Sequence, residues 1–70
     1  MQGVRVMWTA VYVAEGYDKA KEVQNKLQQE GFLVKVKLFS KEVDVNLYEI
    51  LAPKFEAQEV QSVLIDLGII

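Results

Sequence analysis

Few residues in this chain could carry chemistry, and their types say more by exclusion than by assignment. Histidine and cysteine are both missing from its 70 residues. That removes the zinc patterns built on Cys and His, the Ser-His-Asp and Cys-His nucleophile systems and the histidine pH switch. It also removes any disulfide staple, and with it the secreted mini-protein class. The carboxylates fall where structure asks for them. Glu56 and Glu59 lie in the first turn of an expected helix, where they complement its dipole. Glu42 and Asp44 sit near an expected hairpin turn. No two acids stand as a pair whose pKa values would be driven apart for acid/base work. A helix N-terminus can hold an anion through its unpaired amides, but after Glu15-Gly16-Tyr17 the negative group is already supplied by Asp18, read here as the N-cap.

Two sets of residues could serve binding. Trp8, Tyr12 and Tyr48 fall on strands expected to lie side by side, and single-stranded RNA stacks on aromatics of such strands. The basic and Gly-aromatic motif of that module is missing. The net charge of −2, from eight basic and ten acidic residues, does not favour a phosphate-rich partner either. Core or dimer-interface aromatics are therefore the preferred reading, and a nucleic-acid partner is not expected. Lys35, Lys37 and Lys41 form a basic strip that could meet an anion. As lysines on an edge strand they are better read as guards against edge-to-edge pairing.

Five elements must position these groups. Val4 to Ala14 is rich in β-branched and aromatic residues and reads as a strand. Its apolar residues fall on both parities, the pattern of a strand buried on two faces or covered by a partner. Glu15-Gly16 turns the chain into a helix over about Lys19 to Glu30, with Ala20, Val23 and Leu27 as its buried stripe. Glu22 and Lys26 form a favourable i,i+4 pair, and Gly31 is the expected left-handed C-terminal residue. Phe32 to Phe39 alternates Val34, Val36 and Leu38 with Lys35 and Lys37, which marks a half-buried strand. Ser40, Lys41 and Glu42 turn it into a hairpin with Val43 to Leu51, stopped by Pro53. The last helix runs from about Phe55 to Leu67, with Ala57, Val60, Val63, Leu64 and Leu67 facing inward, and Gly68 ends it.

The order β-α-β-β-α predicts an α+β fold: a truncated ferredoxin-like, split βαβ arrangement with sheet order 2-3-1 and two helices on one face. The whole chain, 1–70, reads as one domain. A full ferredoxin-like domain adds a fourth strand beside the first; whether Ile69 and Ile70 supply a short one is left open, and without it the first strand keeps a bare edge. In the hairpin, Tyr48 and Ile50 are placed toward the helices. The alternative buries Glu49 on a central strand, which is costly without a partner. Glu49 then faces outward, opposite Lys35. Leu33, Phe39, Val45, Leu47 and Leu51 are left on the open face, an apolar patch of the kind that marks interaction surfaces.

The segments Met7-Trp8-Thr9-Ala10-Val11-Tyr12-Val13-Ala14, Leu27-Gln28-Gln29-Glu30-Gly31-Phe32-Leu33-Val34-Lys35 and Tyr48-Glu49-Ile50-Leu51-Ala52-Pro53 resemble short uncharacterised proteins of Firmicutes. Those in turn are similar to a small bacterial domain described as signal-transducing. The likeness covers most of the chain and rests mainly on structural positions. It implies an α+β fold of the same element order and assigns no catalytic or binding residue. Some short chains of this kind carry the name glutamate decarboxylase. The residues do not support that activity, since pyridoxal-phosphate chemistry needs a Schiff-base Lys, a phosphate cup and a partner for the pyridine nitrogen on a much larger frame.

The expectation from these readings is a noncatalytic interaction or regulatory domain, not an enzyme, with no cofactor. It is expected to be cytoplasmic, with no signal peptide visible in Met1 to Gly3 and beyond and no bilayer-spanning stretch. The expected partner is a second copy or another protein. The expected interaction surface comprises Trp8, Tyr12, Leu33, Lys35, Lys37, Phe39, Leu47 and Glu49. A small-ligand sensor is the alternative, with its ligand unspecified, and RNA binding ranks third.

Overall fold

The alternation Lys35-Val36-Lys37-Leu38 can settle only as a strand with one covered face, and the rest of the fold supplies the cover. A computed structural model describes residues 6–41 and 44–70. The elements are β1 (Trp8–Glu15), α1 (Tyr17–Gln29), β2 (Lys35–Lys41), β3 (Asn46–Pro53), a 3-10 turn over Lys54–Glu56 and α2 (Ala57–Asp66). The sheet has three strands in the order β1-β3-β2, antiparallel at both junctions. The expected α+β architecture is thus the one observed. α1 contacts all three strands, while α2 rests on β1 and β3.

The hairpin register follows the choice that spares Glu49. Ile50 and Ala52 are fully buried, and Tyr48 packs against the same core. The core joins Val11 and Ala14 of β1, Ala20, Val23 and Leu27 of α1, Val34, Ile50 and Ala52, and Val60 and Leu64 of α2. No polar or charged residue is buried among the described residues. Full burial of an aliphatic side chain contributes about 1.5–3 kcal/mol. Leu27, Ile50, Leu64, Val23 and Val60 are the largest side chains that reach it.

Several boundaries move from their expected places. β1 begins at Trp8, with Val6 and Met7 exposed ahead of it, while Val4 and Arg5 lie outside the described residues, as do Met1 to Gly3. β2 starts at Lys35, because Phe32 is used to finish α1: its N–H donates to the Leu27 carbonyl (3.0 Å) while the Gly31 N–H donates to Gln28 (3.0 Å). With Gly31 at φ +94°, this is the Schellman ending that a glycine in this place permits. α2 ends the same way through Gly68, and the Ile69 N–H donates to Leu64 (2.9 Å), so Ile69 packs on the core as part of a cap. Ser40 and Lys41 of the expected turn belong to β2, and β3 covers Asn46–Pro53, past the expected end at Leu51; Glu42 of the expected turn and Val43 of the expected strand lie outside the described residues.

One cap is corrected. α1 starts at Tyr17, two positions before the expected Lys19, and its N-cap is Gly16, not Asp18. Gly16 holds φ +88°, a conformation that costs other residues and not glycine. Its N–H donates to the Asn46 carbonyl (2.8 Å), and its own carbonyl accepts from Ala20 (3.2 Å). The sharp turn at glycine therefore begins the helix before a capping carboxylate is reached. Asp18 sits inside the first turn, where its charge still favours the dipole. On the outer face of α1 the Glu22–Lys26 pair forms as expected, at 3.5 Å.

Candidate functional site

Directly opposed residues of antiparallel strands share a face, so the strand pairing sorts every side chain of the sheet. On β3, Leu47, Glu49 and Leu51 point away from the helices, opposite in parity to the buried Ile50 and Ala52. On β1, Trp8, Ala10, Val13 and Glu15 pair with Pro53, Leu51, Glu49 and Leu47, and so share that open face. On β2, Lys35, Lys37 and Ser40 pair with Leu51, Glu49 and Leu47. Lys35 lays its ammonium 4.0 Å from the centroid of the Trp8 ring. That cation–π contact spans the central strand and ties the two outer strands together across the open face, contributing about 0.5–1 kcal/mol at such an exposed site.

Both outer strands carry a bulge. On β1 the register shifts between Ala10 and Tyr12, so that Ala10 pairs with Leu51 and Tyr12 with Ile50. An extra residue in one strand leaves two residues opposing one. Val11 is buried and Tyr12 packs against the core, so two successive residues lie on the helix side. This explains the apolar residues on both parities of β1: a strand with one covered face changes phase half-way. On β2 the shift lies between Leu38 and Ser40, and it leaves Phe39 as the extra residue, 56% exposed.

The expected surface residues are distributed accordingly. Trp8, Lys35, Lys37, Leu47 and Glu49 come together on the open face. Phe39 lies exposed in the β2 bulge, and Leu33 is 65% exposed just ahead of β2. Tyr12 is a correction: the bulge carries it to the helix side, opposite Ile50. Tyr48 is on that side too, its ring edge-on to Tyr17 at 5.6 Å. Of the aromatic platform, only Trp8 remains on the open face. Glu49 stands opposite Lys37, not Lys35, since the strands pair two residues further along than expected. The β2 bulge turns Lys41 to the helix side, opposite Asn46, and so divides the basic strip. Ala10 and Val13 were missed in the sequence. Ala10 follows Trp8 by plain alternation, whereas Val13 reaches the open face only because of the bulge, which no single residue type announces.

This arrangement is suited to recognition by apolar area and backbone. Among the described residues no group of three or more His, Cys, Asp or Glu is placed to hold a metal ion, and no helix is long and apolar enough to cross a membrane. Comparison with protein-family models, with curated proteins and with solved structures gives no match.

Proposed function

We propose that this chain is a noncatalytic interaction or regulatory domain, of the signal-transducing kind that its strand segments resemble. It self-associates through the uncovered part of its sheet, either the open face or the outer edge of β1. The observation that carries this reading is the set of apolar side chains on the open side, interrupted by Lys35, Lys37, Glu49 and Glu15. Trp8, Val13, Leu47 and Leu51 occupy the open face with Phe39 exposed beside them, and no described element lies over them. Apolar area of this kind marks interaction surfaces. A domain of this size buries only about 60% of the surface its unfolded chain exposes, and association adds stability by mass action.

Sedimentation velocity across the micromolar range tests the reading. Concentration-dependent dimer formation is expected. A strict monomer throughout, with no protein retained when the chain is used as bait, overturns it.

A further inference from the structure

Self-association could use the open face or the edge, and the order of side chains along β1 distinguishes them. Trp8, Ala10, Val13 and Glu15 lie on the open face, while Thr9, Val11, Tyr12 and Ala14 lie on the helix side, as their partners on β3 and their burial require. From Trp8 to Glu15 the strand therefore reads open, helix, open, helix, helix, open, helix, open. The string is the same read backwards, and an antiparallel neighbour reads it backwards. We infer that β1 pairs with β1 of a second copy about a two-fold axis between Val11 and Tyr12, giving a continuous sheet β2-β3-β1-β1-β3-β2. This inference rests on the self-association reading above and specifies its geometry.

In this register every residue meets one on its own face: Trp8 meets Glu15, Thr9 meets Ala14, Ala10 meets Val13, and Val11 meets Tyr12. A slide of one position sets open-face against helix-side residues everywhere but at the axis. A slide of two restores some matches but sets Tyr12 against Val13 in one direction, or Ala10 against Val11 in the other, and shortens the ladder. A bulge on an outer strand ordinarily discourages pairing. Here each bulge meets its own copy at the axis, so the two strands keep equal residue counts.

Charge and cover agree with this register. Glu15 is the one charged residue of β1. The two copies of Glu15 stand at opposite ends of the ladder, about 24 Å apart at the usual rise per residue, each against the indole of the other chain. The edge strand β2 is the poorer candidate, because Lys37 and Lys41 stand exposed on it. On the covered side, α2 rests on β1, with one flank packed inward through Val63 and Ile65 61% exposed. A two-fold axis normal to the sheet puts both α2 helices on the same side, each beside the junction.

Disulfide trapping tests the register, since the chain has no cysteine of its own. Directly opposed Cα atoms lie about 4.5–5.5 Å apart, within the span of a disulfide. Ala10→Cys and Val13→Cys mixed in equal amounts should give a covalent heterodimer under mild oxidation. Neither variant alone should do so, because like positions are offset by three residues, roughly 10 Å, beyond disulfide reach. Association that persists with no mixture-specific cross-link overturns the edge register and leaves self-association standing. A monomer at every concentration overturns both. Hydrogen exchange on the unsubstituted chain gives an independent reading: β1 amides should gain protection as concentration rises, and protection that does not change with concentration overturns the pairing.

Discussion

Both outer strands of the sheet carry a bulge and both run antiparallel to β3, yet they present opposite borders to solvent. β2 begins and ends on a lysine and carries Lys37 between them. β1 carries no charge from Trp8 to Ala14. Lysine on an edge strand makes an incoming strand strip a charge of its water, so β2 is guarded where β1 is not. Among the described residues only β2 carries this protection, and the proposed pairing uses the other border.

The comparison can be broken most heavily at the strand both borders share. Ile50 is fully buried and stands opposite Tyr12 of β1 and Val36 of β2. Ile50→Ala should cost about 2–5 kcal/mol in urea denaturation, a large part of the stability of so small a domain. Both borders should be lost in one transition.

The second test exchanges the character of the borders. Val13 is 44% exposed on the open face beside the β1 edge. Val13→Lys should weaken self-association about a hundredfold, or roughly 2.7 kcal/mol, with the circular dichroism spectrum unchanged. Lys37→Val should do the reverse on β2 and produce species larger than a dimer in light scattering. If Val13→Lys leaves the dimer intact, the distinction between the borders fails.

The element order, the α1 stripe, the glycine endings and the hairpin parity were legible in the sequence, because each follows from a local period or from the cost of burying Glu49; in α2 the stripe holds through Leu64, but Leu67, expected to face inward, is exposed past the helix end. The two bulges were not. A bulge is an offset between two strands, and nothing in Ala10-Val11-Tyr12 or Leu38-Phe39-Ser40 by itself signals it. That one omission misplaced Tyr12 and Lys41 and hid Val13. The early start of α1 was missed for a related reason: Asp18 satisfies the rule for an N-cap, but the backbone bond from Gly16 to Asn46, which fixes the turn, joins residues far apart in the chain.

Gly16 offers a smaller test, because it anchors the far end of the unguarded border. A Cβ added there meets no atom within 4 Å, so the cost of Gly16→Ala is backbone strain alone. About 1–3 kcal/mol is expected for a non-glycine residue held in such a conformation, read as a lowered midpoint in thermal denaturation. Amides near Glu15 should exchange faster in the same variant.

The smallest expected effect joins the two borders. Lys35→Ala removes the cation from above Trp8 and should cost about 0.5–1 kcal/mol, measured by urea denaturation.

The placement of Trp8 has a practical consequence. It is the chain's one tryptophan, it sits at an end of β1, and a cation already lies over its ring. Indole emission responds to nearby charge and to water, so the chain carries its own optical reporter at the border in question. A second copy bringing Glu15 to that ring would change its fluorescence, and assembly could be followed in dilute solution without attaching a dye.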